Sequence, residues 1–174
     1  MNNKIFNVRK SSIEGQGIFA LSLISKGQKI CSFKGARMTI KELKDKYSSG
    51  EERIDDPFQI GNDTYIDLEE PYVFFNHSCI PNAGVRDTGT LFALRDIKLG
   101  EEITYDYSTT EWTDDNAWGI DWTDLWKIPC NCGTQACRGE IRVFSLLSDE
   151  LKDSYRKQDA LMDFILARLD QYAS

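Results

Sequence analysis

Seven consecutive residues, Asn76-His77-Ser78-Cys79-Ile80-Pro81-Asn82, set two amides, the only histidine, a hydroxyl and a thiol side by side. Pro81 bars a helix through this stretch and pushes Ile80 toward extended backbone, so the polar groups sit on irregular chain. Phe74 and Phe75 just before it indicate that this backbone is buried. Buried irregular backbone needs hydrogen-bond partners from side chains, which Asn76, Ser78 and Asn82 can supply. Alone, the heptapeptide reads equally as a structural knot of amides or as a site. Two other stretches decide between these readings.

The rest of the chain predicts a mainly β protein with a few short helices and a C-terminal helix. Lys4 to Val8 reads as a strand, followed by a polar turn and Gly15-Gln16-Gly17. Gly15 to Ala20 matches the dinucleotide pattern, but no helix opens at the glycines, so only close backbone approach to a ligand survives from that reading. Residues 20–30 and 93–103 share one pattern, with Ala20/Ala93, Ile24/Ile97, Gly27/Gly100 and Ile30/Ile103 in register, and predict two β-corners. Cys31, in the first of them, reads as a small core residue. Thr39 and Glu42 have capping-box spacing ahead of Ile40, Leu43 and Tyr47, which predicts a helix stopped by Gly50. Phe58 to Leu68 predicts a hairpin turning at Gly61-Asn62-Asp63, and Thr90 to Leu94 another strand. From Ser148 onward the pattern is helical, with Leu161, Phe164, Ile165, Leu169 and Tyr172 on one face.

Three motifs in order resemble the SET-domain protein-lysine methyltransferases: Gly15-Gln16-Gly17, the heptapeptide, and Glu101-Glu102-Ile103-Thr104-Tyr105-Asp106-Tyr107. Cys130-Asn131-Cys132 with Cys137-Arg138-Gly139 is similar to that family's post-SET zinc segment. The resemblance covers roughly residues 5 to 140. It implies a β-clip fold with a pseudoknot, in which the heptapeptide threads a loop beside Tyr105 and Tyr107. The expected organisation is a core over 1–107, an acidic tryptophan-rich connection over 108–129, the zinc segment over 130–140 and a helical extension over 141–174.

A structural zinc site takes four ligands, and Cys130, Cys132 and Cys137 supply three thiolates; the resemblance implies Cys79 as the fourth. It also implies that Gly15 and Gly17, with the backbone of Ile18 and Phe19, hold the methionine part of S-adenosylmethionine, while Asn76 and His77 bind its adenosine. Tyr107 corresponds to the family's catalytic tyrosine, and Tyr105 to the position that sets how many methyl groups are added. If 105–107 is a strand, both phenols face the same way and line a lysine channel, which Tyr65 completes. Such a channel strips water from the lysine and favours its neutral amine. Tyrosine at 105 predicts mainly mono- or dimethylation.

Composition agrees with this reading. A formal charge of −7 argues against direct nucleic-acid binding and favours a basic, lysine-containing protein as substrate, a histone being the family's frequent target. Five cysteines, three of them within residues 130–137, fit a metal site plus a spare thiol in a reducing intracellular compartment better than a secreted disulfide framework. No segment reads as a cleaved signal or a membrane span. Residues 108–129 hold all four tryptophans with Glu111, Asp114, Asp115, Asp121 and Asp124, and read either as a pinned surface loop or as a substrate-facing wall. Two rival functions remain: a catalytically weak SET-like zinc module that binds a basic peptide, and a zinc-bearing structural adaptor.

Overall fold

A computed structural model describes residues 4–51, 56–112 and 126–172. It is built of small antiparallel sheets. Strands β1 (Phe6–Lys10) and β2 (Gln16–Ala20) form a hairpin. Strands β3 (Lys29–Ser32), β7 (Ala83–Arg86) and β8 (Thr90–Ala93) form a sheet in the order β3-β8-β7. A second sheet, β4-β6-β5, is made from β4 (Gly35–Thr39), β5 (Phe58–Gly61) and β6 (Thr64–Leu68). The short pair β9 (Ile128–Pro129) and β10 (Glu140–Ile141) brackets the cysteine segment. Between β4 and β5 lies α1 (Ile40–Ser49), and the chain ends in α2 (Asp149–Lys157) and α3 (Asp163–Tyr172). No helix among the described residues is long and apolar enough to cross a membrane.

The two corner segments foreseen from the repeat pack against each other around a local two-fold axis. Ile24 and Ile97 exchange both backbone hydrogen bonds at 2.9 Å. On either side the bonds come in matched pairs: Gly27 N–H donates to Ala93 O and Gly100 N–H to Ala20 O, each at 2.8 Å. Ala20 N–H to Glu101 O and Ala93 N–H to Gln28 O form the next pair, each at 3.0 Å. Gly27 and Gly100 turn with φ of 80° and 81°, a region that L side chains resist. Ile18, Ile24, Leu91, Ile97 and Ile103 are fully buried at the join. This join holds the residue 15–20 segment against residues 101–103, and so fixes one wall of the site described below.

Local signals explain most elements. The Thr39–Glu42 capping box forms, and Gly50 ends α1 in the left-handed conformation. Tyr47, on the expected apolar face, is exposed instead, because only Ile40 and Leu43 meet the second sheet. The predicted Tyr105–Tyr107 strand is a single parallel bridge from Tyr105 to His77, followed by a 3-10 turn over Tyr107–Thr110. Asp106 causes the change by accepting from Ser108 N–H at 3.1 Å, a local capping bond that competes with strand pairing. The single C-terminal helix is two helices separated by a tight turn, with Asp159 at φ 55°.

Those helices are part of the main core. Tyr155, Ala160, Leu161, Met162, Phe164 and Ile165 share one buried cluster with Ile18, Phe33, Phe75 and Leu91. Met162 bridges Asp87 at the end of β7, and a Cβ on Gly84 would lie 2.8 Å from the Ala160 methyl. A smaller cluster joins Met38, Ile40, Leu43, Tyr65, Trp126, Ile141 and Val143.

In the tryptophan-rich connection, Trp118, Trp122, Asp114, Asp115, Asp121 and Asp124 lie outside the described residues. Trp112 and Trp126 are buried in the two clusters and Glu111 is buried with them, so these three face inward rather than toward a substrate.

Replacing Ile97 with alanine empties a fully buried position on the local axis and is expected to cost about 3 kcal/mol. The neighbouring exposed Leu99→Ala should cost less than about 0.5 kcal/mol. Urea unfolding measures both, and comparable losses would show that the join is not what stabilises this region.

Candidate active site

The polar groups of the heptapeptide organise the chain around one cleft of about 410 Å³. Ser11 starts one wall: its Oγ accepts from Ile13 N–H at 2.9 Å and donates to the Glu102 carboxylate at 2.8 Å. The Asn76 amide nitrogen lies 3.2 Å from Glu14 O, 3.0 Å from Gln16 O and 2.8 Å from Glu102 Oε1. Asn76 therefore ties the glycine loop to the residue 101–103 segment. Asn82 ties the opposite end, donating to Glu102 O at 2.7 Å and accepting from Thr104 N–H at 2.9 Å.

The cleft is lined by Ile13, Glu14, Gly15 and Gln16 on one side, and by Val73, Phe74, Asn76, His77 and Tyr107 at its floor. Asp56 lies at one margin. Ile128, Pro129, Asn131 and Ile141, which flank or belong to the cysteine segment, close the other side. A volume of this size suits a small-molecule cofactor.

Gly15, Asn76 and His77 thus lie at the cleft, whereas Gly17, Ile18 and Phe19 do not line it. Ile18 is fully buried in the core, and Phe19 lies under the Arg9 guanidinium, 4.1 Å from the ring centre. Gly17 instead makes room for Glu102. A Cβ there would come within 2.2 Å of Glu102 Oε1, so the missing side chain admits the carboxylate that Ser11 and Asn76 grip. Ile13, Glu14 and Gln16, overlooked in sequence, lie within two residues of Gly15.

Tyr107 faces the cleft, and its hydroxyl donates to Phe75 O at 2.8 Å. Tyr105 stacks obliquely on it with ring centres 4.9 Å apart, so the two rings meet although the backbone between them is not a strand. Tyr105 is buried against Phe33, and burial pushes its phenol well above the ordinary range. Tyr65 does not reach the cleft. It lies in the smaller core cluster, and its hydroxyl donates to Glu111 Oε1 at 2.8 Å. Its place on β6 directs the ring inward, and only the folded sheet shows which face that is.

The thiols of Cys79, Cys130, Cys132 and Cys137 converge, with all four sulfurs within 4.8 Å of one another. Backbone amides point at two of them: Arg138 N–H lies 3.3 Å from Cys79 Sγ and Gly139 N–H 3.4 Å from Cys137 Sγ. Burial opposes ionisation of Cys132, but hydrogen bonds outweigh it and bring its thiol down to about 6. A tetrahedron with Zn–S bonds of about 2.3 Å has edges of roughly 3.8 Å, close to the 3.7 Å between Cys79 and Cys130. The donor set fits a structural zinc ion. Cys31 stands apart, its thiol pushed up to about 12 chiefly by burial.

His77 connects this cluster to the cleft. Its Nδ1 accepts from Tyr107 N–H at 3.2 Å, which places the proton of the neutral ring on Nε2, 3.3 Å from Cys79 Sγ. Burial holds its pKa down to about 4, against the pull of Asp106.

Asp106 was not singled out in sequence. It is fully buried and receives both guanidinium nitrogens of Arg138 at 2.8 Å and the Tyr155 hydroxyl at 2.7 Å. His77 Nδ1 is 3.4 Å away. Burial opposes its ionisation, but Arg138 and the other partners prevail and hold the carboxyl below the ordinary range. Its position between the two tyrosines of a motif was the available signal.

The family model of the SET domain matches residues 15–108, which include the glycine loop, the heptapeptide and both tyrosines. The chain belongs to the SET domain family. It is 34% identical over 146 residues to "Histone-lysine N-methyltransferase, H3 lysine-4 specific" of Neurospora crassa, covering 75% of this chain and 10% of that protein. The Saccharomyces cerevisiae protein of the same description is 30% identical over 143 residues, covering 75% and 12%. "Histone-lysine N-methyltransferase 2B" of Homo sapiens is 32% identical over 143 residues, covering 75% and 5%. The chain therefore spans about a tenth or less of the length of several curated relatives it matches.

Within this SET domain, Asp106→Asn removes the charge that faces the partly exposed Arg138 guanidinium and is expected to destabilise by about 1.5–3 kcal/mol, the worth of a hydrogen bond to a charged group. The folded-state carboxyl is held low, so its stabilisation is present above the ordinary aspartate value of 3.8 and is lost as pH falls below it. Denaturant unfolding between pH 7 and 3 should show this loss in the wild type and a flatter profile in the variant.

Proposed function

We propose that this SET domain transfers a methyl group from S-adenosylmethionine to a lysine ε-amine of a basic protein, with a histone as the leading candidate. The observation that carries the reading is the cleft itself. One loop, Ile13 to Gln16, and one motif, Asn76-His77, form a cofactor-sized space that ends at the phenol of Tyr107. The descriptions of the relatives as histone-lysine N-methyltransferases support that substrate class.

S-adenosylmethionine, when bound, supplies an electrophilic methyl group. Gly15 and Gln16 would hold its amino-acid end, and Asn76 and His77 its adenosine. The protein contributes placement, which can supply on the order of 7 kcal/mol of the barrier. It also contributes a dry aromatic surface, on which an amine loses its proton more readily than in water. Tyr107 is the catalytic residue of this reading, because its hydroxyl is fixed at the cleft by Phe75 O.

Tyr105 would limit the product to mono- or dimethyl-lysine, since its ring fills the space beside Tyr107 and its hydroxyl is bonded to Thr110. The four thiols would hold one zinc ion as a structural clamp between the heptapeptide and the cysteine segment. The −7 charge favours a basic substrate. Reduced thiols fit an intracellular site of action.

Tyr107→Phe should abolish nearly all methyl transfer to a histone panel, followed with labelled cofactor, while circular dichroism stays unchanged. Wild-type turnover in that variant would remove Tyr107 from the mechanism. Tyr105→Phe should raise the ratio of higher to lower methylation states by roughly fivefold, the worth of one hydrogen bond; mass spectrometry over time reads the ratio. Elemental analysis should find one zinc per chain in the wild type and a strongly reduced content in Cys79→Ser.

A further inference from the structure

Tyr155 sits in α2, far along the chain from the three motifs that form the cleft. Its ring is buried in the main core, but its hydroxyl leaves that apolar cluster and reaches Asp106 Oδ2 at 2.7 Å. The same oxygen accepts from Arg138 Nη1 at 2.8 Å, so the two donors share one acceptor. Arg138 is held at a second point through Nη2 to Asp106 Oδ1, also at 2.8 Å.

Arg138 follows Cys137 directly, and its own backbone N–H points at Cys79 Sγ. One residue on, Gly139 O accepts from Cys130 N–H at 3.0 Å. The next two residues pair with Pro129 and Ile128, which line the cleft. A continuous set of bonds therefore runs from the Tyr155 hydroxyl through Asp106 and Arg138 to the wall of the cleft. Core packing requires the ring of Tyr155 and not its oxygen, since a buried hydroxyl is stabilising only when it has a partner.

We propose that Tyr155 is a positioning residue for the cofactor cleft: its hydroxyl orients the Asp106 carboxylate and so fixes Arg138 and the cysteine-bearing wall. The inference rests on the reading that the cleft takes S-adenosylmethionine. It gives the C-terminal helices a role in the site although none of their residues lines it.

The test compares Tyr155→Phe with the wild type in three measurements on the full chain. Calorimetric titration with S-adenosylhomocysteine should show the dissociation constant raised roughly tenfold, equivalent to about 1.4 kcal/mol. The KM for S-adenosylmethionine should rise in parallel with kcat at saturation little changed, as expected when ground-state and transition-state binding are lost together. Zinc release to a chromogenic chelator should be several-fold faster.

Leu161→Ala, in the same buried cluster but outside the Asp106 network, separates this from general loosening of the core. It should lower the melting temperature without changing the dissociation constant. An equal rise in that variant overturns the proposal, and so does an unchanged dissociation constant and zinc-release rate in Tyr155→Phe. Arg138→Lys supplies a second route: combined with Tyr155→Phe it should weaken binding by less than the product of the separate effects. Multiplying effects would overturn the chain of action through Arg138. If the wild type itself binds no S-adenosylhomocysteine, the cofactor reading fails, while the zinc-release comparison still decides whether Tyr155 holds the wall.

Discussion

A buried carboxylate cannot be left to itself. Desolvating Asp106 is costly, and the cost is offset only where several donors meet it with good geometry. In this protein those donors come from distant parts of the chain: Arg138 beside the cysteines and Tyr155 in α2, with the Ser108 amide close by in sequence. His77 lies against the same carboxylate. The central motif, the cysteine segment and the C-terminal helices are therefore held to one point. The bond that turns the chain from Asp106 into its 3-10 turn also sets Tyr107 at the cleft.

The second constraint is the pairing of the two β-corners. Matched hydrogen bonds around Ile24 and Ile97 bring residues 15–20 and 101–103 together. Glu102 can then sit against Gly17, where Ser11 and Asn76 bind it. One wall of the cleft depends on this rigid join and the other on the cysteine segment. The fixed wall is held by backbone pairing, and the other carries four converging thiols whose spacing suits one metal ion.

Much of this was legible in order along the chain. The capping box, the Gly50 stop and the hairpin at residues 58–68 are local, and each forms where its own residues favour it. The corner repeat was also visible, because it needs an isoleucine and a glycine at fixed spacing. The misreadings share a cause. Tyr105 to Tyr107 has strand-like alternation, but a side-chain bond from Asp106 to Ser108 outweighs it. Tyr47 has helical spacing with Ile40 and Leu43, yet it is exposed, since periodicity defines a face and not what covers it.

The sequence alone carried the family resemblance, most of the local elements and the chemistry available: a heptapeptide dense in polar groups, two phenols, and three clustered thiols with a fourth implied by the resemblance. Those properties depend on residue type and short spacing, which folding leaves unchanged. Only the tertiary structure decided that Ile13 and Gln16 line the cleft while Ile18 and Phe19 do not, and that a hydroxyl in α2 joins the network behind Tyr107. These depend on contacts between residues far apart in the chain. Such contacts exist only once the core has formed, because burial is what makes a lone carboxylate recruit its donors.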